Sequence, residues 1–160
     1  DLIGAPVDWC GINYYTRSNL GHKEGGWPNI QAYEGPLDKT QMGWEIYPDG
    51  LFDFIMRTHQ EYTRGLPIYV TENGMANNDL VENGTVNDDA RLRYISEHLL
   101  AVLKAIKQGV PLAGYYVWSL LDNYEWTLGY EKRFGLVHVD FETQKRTPKK
   151  SYLAWKSALK

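Results

Sequence analysis

In Tyr69-Val70-Thr71-Glu72-Asn73-Gly74 a carboxylate arrives where a strand runs out. Ile68, Tyr69 and Val70 form a short β-prone run entered through Leu66-Pro67, and Asn73-Gly74 reads as a turn that ends it. A carboxylate at the carboxyl end of a buried strand is poorly placed for stability and well placed for chemistry. A Glu that merely opens a loop has the same local sequence, so the surrounding chain has to decide between the two.

Upstream, Leu51, Phe52, Ile55, Met56, His59 and Tyr62 recur at helical spacing behind Asp49, a candidate cap, and Arg64-Gly65 closes the element. Downstream, Asp88-Asp89 opens a longer helix. Its expected buried stripe is Leu92, Ile95, Leu99, Val102, Leu103 and Ile106, with Arg91, Arg93, Glu97 and Lys104 off that stripe. Gly109 and Pro111 stop it. Val7 to Tyr15 and Leu112 to Ser119 read as two further strands, Phe134 to Phe141 as a short one, and a last helix follows Arg146-Thr147-Pro148. Between Thr16 and Asp49 lies a segment without periodicity, too long for a plain connector and therefore expected to be functional or partly mobile.

Strand, helix, strand, helix, strand, helix implies parallel strands joined by right-handed crossovers. Helix-to-strand connections are short, whereas every loop leaving a strand's carboxyl end is long. In α/β barrels the reaction site is built from those loops. Asn13, Tyr15, Glu72, Trp118 and Ser119 all fall at that end. Three strands cannot close a barrel, which needs roughly 250 residues, so the chain is expected to be a piece of something larger. A doubly wound sheet would avoid closure, but no G-x-G-x-x-G phosphate loop occurs here.

Composition narrows the function. With 160 residues, 43% of them apolar, the chain is long enough for one core. A net charge of −3 supplies no electrostatic footprint for nucleic acid. No apolar run has the length of a membrane span, and no charged-then-apolar leader is present, so neither membrane attachment nor secretion is expected. The single Cys10 rules out an internal disulfide and suits a cytoplasmic location. Asn83-Gly84-Thr85 matches a glycosylation acceptor, a triplet that also arises by chance. Six Trp and twelve Tyr are many for this length, and sugar rings have apolar faces that stack on such side chains.

Two carboxylates cleave a glycosidic bond with retention when one attacks the anomeric carbon and the other protonates the leaving oxygen, about 5–5.5 Å away. An ionised nucleophile needs hydrogen-bond donors, and Tyr15 on the neighbouring strand is placed to hold one oxygen of Glu72. Glu125-Trp126 puts an acceptor for vicinal hydroxyls beside an indole, with Trp118 nearby.

Together these stretches resemble the carboxyl-terminal part of glycoside hydrolase family 1, the β-glucosidase group. The resemblance is carried by Gly11-Ile12-Asn13-Tyr14-Tyr15-Thr16, by Tyr69–Gly74, and by Trp118-Ser119-Leu120-Leu121-Asp122-Asn123-Tyr124-Glu125-Trp126. A fourth motif is Gly129-Tyr130-Glu131-Lys132-Arg133-Phe134-Gly135-Leu136, followed by Asp140 and Pro148-Lys149-Lys150-Ser151. They occur in the family's order and span essentially the whole chain.

The resemblance implies a (β/α)8 TIM barrel, of which residues 1–160 supply about the last three βα units. It implies that Glu72 is the catalytic nucleophile, Tyr15 its hydrogen-bonding tyrosine and Asn13 a lining residue of the site. Trp118 becomes the platform under the sugar, and Glu125 with Trp126 the pair that binds its outer hydroxyls. Members acting on 6-phosphosugars carry Ser where Glu125 stands and Tyr where Phe134 stands, so an unphosphorylated β-glycoside is expected. Lys132 is common to both groups, and these residues do not choose between glucose, galactose and fucose. The family's acid/base is the Glu of an Asn-Glu-Pro motif, which is absent from this chain. The Gln, His and second Asn that complete the sugar site are expected on the same missing amino-terminal portion. No metal or organic cofactor is implied. The competing expectation is a non-catalytic fragment that self-associates or binds sugar weakly through Trp118, Glu125 and Trp126.

Overall fold

Alternating β-branched and aromatic residues at Ile68, Val70 and Tyr69 build the middle strand of the sheet around which the chain folds. In the computed structural model, which describes residues 4–159, the elements run β1 (Cys10–Asn13), β2 (Asn19–His22), β3 (Ile30–Tyr33), α1 (Pro48–Arg57), β4 (Ile68–Asn73), α2 (Asp89–Lys107) and β5 (Leu112–Val117). Then follow β6 (Val137–Val139), β7 (Arg146–Pro148) and α3 (Lys150–Ala158). β1, β4 and β5 form a parallel sheet in that order, with Asn13 paired to Glu72 across an irregularity in register. α1 and α2 are the crossovers and pack on each other.

One sheet face is covered by these helices. Ile12, Ile68 and Val70 point into a core with Leu51, Ile55, Val102, Ala105 and Val110, where each large aliphatic side chain contributes roughly 1.5–3 kcal/mol by leaving water. The opposite face carries Trp9, Tyr69, Thr71 and Tyr116 around a cavity of about 630 Å³. Tyr116 is 58% exposed and Trp9 52%. A parallel sheet is ordinarily buried on both faces, and here only the helix side is filled.

Several local expectations are revised. β4 does not stop at Val70 but continues through Glu72 to Asn73, because Tyr14 N–H and Trp118 N–H bond to the carbonyls of Glu72 and Asn73 from the two neighbouring strands, at 2.9 Å each. Gly74 is required less as a turn residue than for close packing: a Cβ there would lie 1.9 Å from the Trp118 carbonyl oxygen. Asp49 does not cap α1; it sits in the first turn after Pro48, where its charge suits the helix N-terminus, and Tyr47 holds the cap position. The helix runs on as a π-helical stretch at Thr58–Thr63 before Arg64 turns left-handed.

The buried face of α2 also differs. It consists of Arg91, Tyr94, Ile95, His98, Ala101, Val102 and Ala105, while Leu103 and Ile106 are 44% and 43% exposed. Apolar periodicity misplaces the stripe because three of its buried members are polar, each with its own partner. The strand expected over Phe134 to Phe141 shortens to β6 and pairs antiparallel with β7, outside the main sheet. The segment from Thr16 to Asp49 is ordered by the β2–β3 hairpin and by the buried Glu45. Glu45 accepts from Arg17 Nε at 2.7 Å, Asn19 Nδ2 at 2.9 Å and Leu37 N–H at 2.9 Å, and these donors lower its carboxyl pKa to about 2.

Candidate active site

The ends of β1, β4 and β5 bring the predicted residues together by register. Tyr15, two residues beyond β1, donates its hydroxyl to Glu72 Oε2 at 2.7 Å. Burial and that bond both raise the Tyr15 pKa, so the phenol stays protonated and remains a donor. Asn13 Oδ1 accepts from Thr71 Oγ1 at 2.6 Å, one residue before Glu72.

Glu125 belongs to the same electrostatic neighbourhood. Burial raises its pKa first and the Glu72 charge second, and the Glu125 charge in turn acts on Tyr15. Phe134 is buried and packs edge-on against Tyr15, ring centroids 6.1 Å apart. Trp44 completes this cluster at 5.4 Å from Tyr15 and 6.2 Å from Phe134. It escaped the sequence reading because it lies in the segment without periodicity.

Trp118 follows β5 directly and lines the cavity on the open face together with Tyr69 and Thr71. Trp126 stands apart, 80% exposed on a 3-10 turn after Glu125, with its backbone at φ +43°. Glu72, Tyr15, Asn13, Phe134 and Glu125 are therefore gathered, Trp118 borders them, and Trp126 faces solvent.

What holds the Glu125 loop in place was not anticipated. Asp79, Asp88 and Asp122 are buried and meet the cations Arg91, Lys149 and Arg133. Lys149 bridges Asp79 and Asp122. Arg91 bridges Asp79 and Asp88, and Asp88 also accepts from Ser151. Three negative charges face three positive ones, and remaining acceptors are filled by backbone, as at Gly135 N–H to Asp122 Oδ1, 2.9 Å. Such a cage is tolerable in the interior only when every charge is met. It ties the loop after β4, the loop after β5 and the start of α3 to the N-terminus of α2. Asp122, Arg133, Lys149 and Ser151 all stand within the motifs quoted above, but sequence alone does not show that they converge.

The sequence model of glycosyl hydrolase family 1 matches residues 1–160. The chain belongs to that family. It is 45% identical over 150 residues to β-glucosidase A of Thermotoga maritima, covering 93% of this chain and 33% of that protein. It is 44% identical over 165 residues to a β-glucosidase of Agrobacterium sp., covering 99% and 35%. A 6-phospho-β-galactosidase of Leptotrichia buccalis is 42% identical over 163 residues, covering 90% and 35%. The fold superposes on the family 1 β-glucosidase from Exiguobacterium antarcticum B7 with a TM-score of 0.95 and 43% identity, over 98% of this chain and 35% of that one. The structures it matches are TIM barrels, and the chain spans about a third of the length of these relatives. Among the described residues no helix is long and apolar enough to cross a membrane.

Proposed function

We propose that residues 1–160 are the last three βα units of a (β/α)8 barrel and supply the nucleophile and part of the sugar site of a retaining β-glycosidase. The observation that carries this reading is the Tyr15 hydroxyl on Glu72 Oε2 at 2.7 Å, at the carboxyl ends of adjacent parallel strands. Glu72 attacks the anomeric carbon while a carboxylic acid on the amino-terminal remainder of the barrel protonates the departing oxygen. The resulting glycosyl–Glu72 ester is hydrolysed by a water deprotonated by that same group. Tyr15 holds the carboxylate oxygen that does not attack. The uncovered sheet face, with Trp9 and Tyr116 half-exposed, supports the need for that remainder as partner, on the same polypeptide or a second one.

The substrate is an unphosphorylated β-D-glucoside or a related β-glycoside. Relatives of nearly equal identity include β-glucosidases and a 6-phospho-β-galactosidase, so overall likeness does not choose between neutral and phosphorylated sugars. Support for a neutral sugar comes from Glu125, which repels a phosphate and accepts from neutral hydroxyls. Trp126 beside it and Trp118 offer faces to the ring, Asn13 lines the strand side, and Phe134 backs Tyr15. A cytoplasmic location belongs to the same proposal and rests on the single Cys10.

The test is hydrolysis of p-nitrophenyl β-D-glucoside by this chain joined to its amino-terminal remainder, with the released sugar followed by NMR. β-Glucose as the first product is expected. An α product, or preference for the 6-phosphoglucoside, overturns the reading. The 160 residues alone are expected to be inactive, because the general base that activates the hydrolytic water, worth about 10²–10⁴ in rate, belongs to the amino-terminal remainder.

A further inference from the structure

We propose that Asn73 is the positioning residue that holds Tyr15 on Glu72, acting through the Tyr14 carbonyl and the Tyr94 hydroxyl. The proposal deepens the functional reading above and rests on it. An irregularity in register between Val70 and Asn73 turns the Asn73 side chain to the helix side of β4, the side of Val70, where it is fully buried beside Tyr94 of α2. Its Nδ2 donates to Tyr14 O at 2.7 Å and to Tyr94 Oη at 3.1 Å, and its Oδ1 accepts from the Tyr115 hydroxyl. A carbonyl can only accept, so the partner at Tyr14 dictates which way the carboxamide faces. Tyr94 Oη, accepting from Asn73, has its own proton left, and it donates that proton to the carbonyl of Tyr15 at 3.1 Å.

The backbone is therefore held on both sides of Tyr15. Tyr14 N–H bonds to Glu72 O at 2.9 Å, Tyr14 C=O to Asn73, and Tyr15 C=O to Tyr94. Every anchor leads back to Glu72 and its immediate neighbour, so the nucleophile and the group that orients it are referenced to the same two residues. Tyr94 is itself fixed from behind. His98 stacks on it at 3.9 Å and 25°, and its Nδ1 donates to Tyr94 O at 2.7 Å. Burial lowers the His98 pKa to about 4, leaving the ring uncharged at neutral pH. Hydroxyls of Tyr94 and Tyr115, with one carboxamide, thus form a closed polar network whose direction of donation is fixed throughout.

A double-mutant cycle on the enzyme that contains this chain and its amino-terminal remainder tests the proposal, with an aryl β-glucoside as probe. Tyr94→Phe is expected to lower kcat/KM about tenfold, the scale of a small misplacement at a reacting group. In a Tyr15→Phe background the same substitution is expected to change the rate less than about twofold, because the group being positioned is gone. Equal losses in both backgrounds overturn the proposal, as does an unchanged rate in folded Tyr94→Phe. Should that variant fail to fold, Asn73→Asp enters the same cycle, placing a carboxylate oxygen against the Tyr14 carbonyl. Its loss must likewise shrink when the Tyr15 hydroxyl is absent. An inactive parent enzyme, or full activity in Glu72→Gln, defeats the functional reading. An active parent with uncoupled Tyr94 and Tyr15 defeats this proposal alone.

Discussion

The cage that joins the loops beyond the strands and the rim at the strand ends treat carboxylates in opposite ways. Asp79, Asp88 and Asp122 are buried, and each meets at least one cation. Among the described residues Glu72 and Glu125 have no cationic partner; Glu72 receives a tyrosine hydroxyl and Glu125 lies within reach of the Glu72 field. A carboxylate enclosed by cations is locked and unreactive, whereas one held by a neutral donor stays free to meet an incoming electrophile or hydroxyl. The difference separates carboxylates that build the scaffold from those left available for chemistry.

Removing a cation from the cage should have the largest effect. Lys149→Met leaves the buried Asp79 and Asp122 without the cation that bridges them, and breaking such a pair costs about 3–5 kcal/mol. Urea unfolding of the assembled barrel should register that loss; a change under about 1 kcal/mol would mean that the cage is not what holds the loops.

At the rim the same kind of change should alter catalysis and leave folding nearly untouched. Glu125→Ser is expected to cost about 2–3 kcal/mol in kcat/KM for neutral glucosides, the worth of charge-assisted hydrogen bonds. Unchanged efficiency would remove Glu125 from the sugar site. Tyr15→Phe deletes one donor to Glu72 and should lower kcat/KM by about 2 kcal/mol, roughly thirtyfold, with the urea midpoint preserved.

Glu45 offers the mildest contrast, a paired carboxylate that anchors residues 16–49. Its folded pKa of about 2 lies below the ordinary 4.5, so its contribution is complete above pH 4.5 and is lost as pH falls toward 2. Proteolysis within residues 16–49 should therefore rise over that window, and Glu45→Gln should flatten the rise.

How much of this was legible in the sequence follows from the range of the interactions. The parallel order of three strands and the Tyr15–Glu72 pair were readable, because hydrophobic runs and strand-end positions are local signals. The buried face of α2 was not. Arg91, Tyr94 and His98 look like surface residues until their partners at Asp79, Asn73 and the Tyr94 carbonyl are in place, and the first of those lies in another loop. The cage joins residues up to 70 positions apart, beyond any periodicity. Trp44 and Glu45 were hidden because their segment is organised by one buried carboxylate and a hairpin instead of a repeating pattern. The strand's extension to Asn73 depended on hydrogen bonds from both neighbouring strands.

The central claim is that Glu72 forms the covalent intermediate. The direct measurement is to trap the complete enzyme with a 2-deoxy-2-fluoro-β-glucoside bearing a good leaving group, then digest it and locate the added sugar by mass spectrometry. The label is expected on Glu72, within the peptide that spans Tyr69–Gly74; a label on any other residue would contradict the assignment.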